Sequence, residues 1–372
     1  MNLALSVPIF LCCTLLISKG SALAASASPG LLKAKQEAEA KGYLFETSHD
    51  DILAKAKKEG KLQVLNSLNP DIFPHMTKAF KEKYPFIDLQ LREITGTETA
   101  QRHIHELRAG GARNWDVSHL TWDFFNDYLP HAAKIDIFGM AQHGVLAIPI
   151  KMIDPNTRAL VAAGSAADSI AYNRCMLDPS KVPDRWEDFY RPELKGKKFI
   201  ADVQPHIYAA MAAGAGQEWM VGHARKIAAQ QPVWVRGHTR VLTAIATGEH
   251  TLHSGTNYHS AVRAAQKDRS GCLQAKVIEP IPMRLQEPEM VVEKAQNTYA
   301  ALLWFEFLAS PVAQKILDDH EPLKSSIYAP GSALEKLVRG KKVWLADWKS
   351  YPQSPRWMAM AVEAFGFPKV DK

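Results

Sequence analysis

Apolar and polar positions along the chain alternate between two periods. Leu62–Leu65 is a short apolar run after Gly60, and the polar turn Asn66-Ser67-Leu68-Asn69 follows it. Phe73, Met76, Phe80 and Tyr84 then step by three, four and four, a helical stripe stopped by Pro85. Ile87–Ile94 alternates as a strand. Thr95-Gly96-Thr97-Glu98 has capping-box spacing and opens a helix carrying Ala100, Ile104 and Leu107, and Asp116–Leu120 is the next strand. Ser169–Asn173 and Lys198–Ala201 read as further strands, each before a polar turn, with helices over Ile207–Ala213 and Trp219–Ala229. In Gly237–His259, Val241, Leu242 and Ile245 mark a helix that closes on Gly248. A strand at Thr251–His253 and a polar loop at Ser254–His259 come after it. Val277–Pro282 is strand-like. Asn297–Leu308 reads as an amphipathic helix, Ser310-Pro311 opens another, and the aromatic tail Trp344–Phe367 is expected to pack over the first domain.

Strand, polar turn, helix and strand in succession predict an α/β fold with mostly parallel sheets. Ligands of such sheets sit beyond the carboxyl ends of strands, where helix N-termini present N–H groups. A length of 372 residues allows two domains.

Composition narrows the class. The chain is 47% hydrophobic and 23% charged, as in a soluble globular protein. The net charge of +6 is spread among acids, which reads as solvated helix faces and not as a nucleic-acid stripe. Leu3–Ile17 is apolar but too short to span a bilayer, and Ala22-Leu23-Ala24 offers a cleavage site, so residues 1–24 read as a signal peptide. Export would remove Cys12 and Cys13. Cys175 and Cys272 remain, as a disulfide or as two buried thiols.

The order and spacing of several segments resemble a known family. They are Glu59-Gly60-Lys61-Leu62, Ala79–Pro85, Ala171-Tyr172-Asn173, Trp186-Glu187-Asp188-Phe189 with Leu194–Lys197, Thr247-Gly248-Glu249, and Phe305–Pro311. Together they resemble the extracellular solute-binding proteins of bacterial ABC importers, in the group that contains ferric-iron, thiamine, phosphonate and polyamine binders. The resemblance implies a two-lobed periplasmic-binding-protein fold of type II, two α/β domains joined by crossing hinge strands. Residues 25–168 would form the first part of lobe one, 169–280 lobe two, and 281–372 the return to lobe one with C-terminal helices. It also implies a monomer that serves a membrane permease and an ATPase, without nucleic acid or a resident cofactor, carrying ferric ion or a small anionic organic solute.

The strand ends and helix starts supply the candidate ligand-binding residues: Asn66, Ser67, Thr97, Thr121 and Trp122 in lobe one, and Asp202, Gln204, Thr239, Arg240, Asn257 and Tyr258 in lobe two. Ferric-binding members use adjacent tyrosines at the segment matching Asn257–His259. Here Tyr258 is followed by His259, which weakens the set of hard oxygen donors. His250, His253 and His259 raise a second possibility, a metal-dependent hydrolase, and a sensor feeding a membrane kinase is a third. There is no P-loop, no Gly-x-Ser-x-Gly elbow, and Trp219 stands where a dinucleotide fingerprint after Gly214-Ala215-Gly216 would need glycine.

Overall fold

The protein is described from a computed structural model that covers residues 28–110, 114–121, 124–196, 199–202, 206–235 and 238–367. Among the described residues it is a mixed α/β molecule with ten paired strands, eight of them along one continuous path. They are β1 Lys61–Asn66, β2 Asp88–Glu93, β3 Val117–His119, β4 Val161–Asn173, β5 Phe199–Asp202, β6 Val233–Val235, β7 Leu252–Asn257, β8 Leu273–Lys276, β9 Ile281–Val291 and β10 Val343–Ala346. The order is β2-β1-β3-β9-β4-β7-β5-β6, with β10 on β9 and β8 on β4.

β4 divides the path into two lobes. Its first half, Val161–Ala167, pairs antiparallel with β9, and its second half, Asp168–Asn173, pairs antiparallel with β7 and β8. The expected strand at Ser169–Asn173 is thus the end of a 13-residue strand. All but Tyr172 in it are buried. Small residues make this possible: a β-carbon at Gly164 would lie 3.0 Å from the Lys324 carbonyl. The expected segment Val277–Pro282 resolves into the link between β8 and β9, and β9 runs on to Val291 despite Pro282 and Pro288.

Lobe one is cored by β1, β3 and the helices packed on them. Leu62, Val64, Met76, Phe80, Trp304 and Phe307 belong to one buried cluster. The helix Thr298–Leu308 is buried from Ala300 to Leu308, so the stripe read as amphipathic belongs to a helix covered on every side. Lobe two is cored around Trp186, Phe189, Phe199, Tyr208 and Ile227 on one face of its sheet, and Ile200, Val241, Leu242 and Ile245 on the other.

The tail departs from expectation by dividing between the lobes. Trp348 and Tyr351 pack in lobe one beside Phe125 and Tyr128, and the Tyr351 hydroxyl donates to the Leu285 carbonyl at 2.8 Å. The last helix, Ser354–Ala364, instead buries Trp357 and Ala361 in the lobe-two cluster. Trp357 is the anchor, packed into the cluster that holds Trp186 and Tyr208. Cys175 and Cys272, 97 residues apart, are joined as a disulfide with a Cα–Cα distance of 5.4 Å. It ties the turn after β4 to the start of β8.

Candidate functional site

Strand direction alone sets two edges against each other. β1, β2 and β3 are mutually parallel and antiparallel to β9, so they run the same way as β4, toward lobe two. β7 is antiparallel to β4, and β5 and β6 are parallel to β7, so these three run back toward lobe one. The carboxyl ends of both sheets therefore meet at the junction. After β5, β6 and β7 come the helices Ile207–Ala215, His238–Ala246 and Tyr258–Lys267. The first N–H groups of each have no intrahelical acceptor, and the helix dipole adds a partial positive charge there. Gly255 allows the close fit: a β-carbon there would lie 2.9 Å from Ile207 Cδ1.

The lobe-one edge carries a buried network. Ser67 donates its hydroxyl to Glu287, and Lys324 Nζ lies 3.0 Å from Glu287 Oε1 and 2.7 Å from Glu321 Oε2. His119, the last residue of β3, brings Nδ1 to 3.8 Å from Glu287 Oε2. The Asn69 N–H donates to Glu321 Oε1 at 2.8 Å. Burial by itself would raise the Glu287 carboxyl, yet Lys324, His119 and Ser67 hold it down at about 2. Burial lowers His119, while for Lys324 the two carboxylates outweigh burial and raise it. Glu287 holds a φ of 54°, uncommon for a residue with a side chain. Beside it, Asn66 is fully buried, its Oδ1 accepts from the Leu68 N–H, and its Nδ2 has no hydrogen-bond partner among the described residues.

At the hinge, Arg284 of β9 is buried and donates Nη1 to both oxygens of Asp168 on β4, at 3.1 and 3.0 Å. Its Nη2 donates to Asn257 Oδ1. Asn257 ends β7 and caps the helix that Tyr258 begins, so the segment expected as a loop at Ser254–His259 is strand and helix. The half-buried Tyr258 packs against the apolar hinge cluster of Ala167, Ile281, Met283 and Leu334, and burial raises its phenol.

A cavity of about 500 Å³ is lined from both lobes. Asn69 lines it from lobe one. Across from it stand Leu242, Thr243 and Ala246 of the His238 helix, with Ser260, Arg263, Ala264 and Lys267 of the Tyr258 helix. The floor is apolar and the rim carries two cations one helical turn apart. Asp268 is there too, but its oxygens accept from Ser270 and the Leu273 N–H.

The expected site residues fall into three groups. Asn66 and Ser67 join the lobe-one network, and Asn257 joins the hinge. Asp202 is buried at the carboxyl end of β5. Thr121 is half-buried just past β3 and interacts with the Tyr128 hydroxyl. Thr97 is exposed as the first residue of the helix Thr97–Arg108, whose N-cap is Gly96, so the box expected from Thr95 does not form. Arg240 is exposed in the first turn of its helix. Thr239 lies in the same turn, its side chain outside the described residues, as are Trp122 and Gln204. Reading strand ends alone passed over Glu287, Lys324, His119, Arg263 and Lys267. Only His119 carried a legible signal, at the end of a predicted strand. The three histidines do not converge: buried His253 aims Nδ1 at the Ile200 carbonyl at 3.3 Å, His250 faces Glu249, and His259 is in the first turn of its helix. Among the described residues no three His, Cys, Asp or Glu side chains are grouped to hold a metal ion.

Several solved structures share this architecture. Ferric iron-binding protein A of Mannheimia haemolytica in an open conformation is 18% identical, with a TM-score of 0.64 over 83% of this chain and 100% of that one. Iron-bound HitA from Pseudomonas aeruginosa is 15% identical, with a TM-score of 0.59 over 82% and 99%. A Trichodesmium protein (IdiA, FutA) in complex with iron and citrate ligands is 17% identical, with a TM-score of 0.60 over 82% and 98%. At these identities the likeness is one of fold, that of two-lobed periplasmic binding proteins. No curated protein sequence matches the chain. The sequence profile described as bacterial extracellular solute-binding protein matches residues 123–351, more than half of the molecule. The chain belongs to the family of bacterial extracellular solute-binding proteins.

Proposed function

We propose that the protein captures a small organic anion between its lobes and delivers it to the permease of an ABC importer. In this reading residues 1–24 are removed on export, the lobes part at 168/169 and 280/281, and the last helix travels with lobe two. The observation that carries the reading is the cavity between Asn69 and the two lobe-two helices, with Arg263 and Lys267 on its rim. The Tyr258 helix also presents Ser260, in its first turn, to the cavity, and a helix N-terminus favours negative charge. Backbone N–H groups and a guanidinium can orient a carboxylate or phosphonate, and the apolar floor can cover its carbon chain.

Ferric ion is the alternative that the iron-binding neighbours bring. Three features of this chain weigh against a bare ferric site. Tyr258 is packed into the hinge with its phenol raised, His259 stands where a second tyrosine would be, and Glu287 is already neutralised by Lys324. A ferric complex of an organic anion would suit the same basic rim.

Calorimetric titration with di- and tricarboxylates, organophosphonates and organophosphates tests the proposal. We expect one anion class to bind, and Arg263→Ala with Lys267→Ala to weaken it at least tenfold, about 1.4 kcal/mol. Binding of ferric ion alone, with no response to any free anion, would reverse the assignment.

A further inference from the structure

We infer that Lys324 is a tethered cation that fills a carboxylate site on the lobe-one edge and so closes it to free metal ions and amines. The inference goes beyond the proposed anion and stands whether or not an anion binds the cleft.

Glu287 and Glu321 approach one point from β9 and from the turn after the helix Pro311–His320, and the ammonium of Lys324 occupies that point, 3.0 and 2.7 Å from them. All three residues are less than one-tenth exposed. Two further groups border the same carboxylate: the Ser67 hydroxyl, and His119 Nδ1, which has no hydrogen-bond partner among the described residues. Remove the ammonium, and the Glu287 and Glu321 carboxylates face one point as hard oxygen donors for a divalent ion or an amine. Two buried carboxylates without a counter-charge are strongly unfavourable, so the position takes up a cation or a proton. In this chain the cation is covalently attached. Its local concentration exceeds that of any dissolved competitor, which makes Lys324 a specificity-determining residue.

Thermal melts of the wild-type protein, Lys324→Ala and Lys324→Arg test this in methylammonium chloride and calcium chloride, with tetramethylammonium chloride as the bulky ionic-strength control. Lys324→Ala should melt below wild type. Methylammonium and calcium should each raise its Tm, calcium half-maximally at about 10⁻⁴–10⁻³ M. Wild type and Lys324→Arg should follow the control. A wild type stabilised as much as Lys324→Ala, or a folded Lys324→Ala indifferent to both cations, would overturn the inference. Should Lys324→Ala not fold, the double variant Lys324→Ala with Glu321→Gln keeps one carboxylate. It should respond to methylammonium and not to calcium, and silence toward methylammonium overturns the inference equally.

Discussion

Tyr258 and Glu289 show how burial decides what a side chain can do. A phenol binds ferric ion as phenolate, and the apolar hinge around Tyr258 disfavours that charge. Ferric nitrilotriacetate added to the wild-type protein at neutral pH should therefore give no tyrosinate charge-transfer band in the visible spectrum, and Tyr258→Phe should leave that spectrum unchanged. Glu289 is 1% exposed on β9, where it accepts from Trp304 Nε1 at 2.8 Å. Burial pushes its carboxyl up to about 8. The native state then holds a proton that the unfolded chain releases near pH 4.5, so this residue's contribution to stability falls as pH rises from about 4.5 to about 8. Glu289→Gln keeps an acceptor for Trp304 and has nothing to titrate. Its urea midpoint should exceed that of wild type at pH 8 and converge with it near pH 4. Neither environment was legible in sequence. A Tyr-His pair and a Glu among charged neighbours look alike whether exposed or buried, because burial is fixed by segments far away in the chain.

Strands and helices that lie with one face to a core were readable, because their apolar positions repeat. β1, the Phe73–Lys83 helix and the His238–Ala246 helix lie close to where the pattern put them. Of the crossing strands only pieces were readable: Ser169–Asn173 is the end of β4, and Val277–Pro282 reaches the start of β9. The first half of β4 is covered on both faces and built of small residues, so it shows no alternation, and Pro282, Arg284, Glu287 and Pro288 interrupt the pattern of β9. Close approach also fixes the helix at the lobe-two edge. A β-carbon at Gly214 would fall 2.0 Å from Trp344 Cδ1 of β10. Gly214→Val should accordingly destabilise the protein by about 1–3 kcal/mol through overpacking, seen as a lower urea midpoint. The disulfide staples β4 to β8 across a long loop. Reduction, or paired Cys175→Ser and Cys272→Ser, should cost about 2–5 kcal/mol in the same assay.

At the scale of the whole molecule, the sheets face each other because β4 crosses from one to the other and every neighbour takes its direction from it. Among the described residues three segments span the lobes: β4, the link from β8 into β9, and the tail that packs Tyr351 in one lobe and Trp357 in the other. Arg284 joins β9, β4 and the cap of the Tyr258 helix, so the helix that carries Arg263 and Lys267 is tied to the hinge. A ligand that contacts both lobes shifts the population toward the closed state by its differential affinity. The general architecture could be read from the alternation of elements and from family resemblance. The cavity could not, because Asn69 and Lys267 are brought together only by folding. Thermal-shift titration of the wild-type protein with small organic anions, against ferric ion and polyamines as comparators, tests the central claim most directly. A saturable rise in Tm with one class of organic anion, absent with ferric ion alone, is the predicted result. A rise with ferric ion or polyamine and none with any organic anion would contradict it.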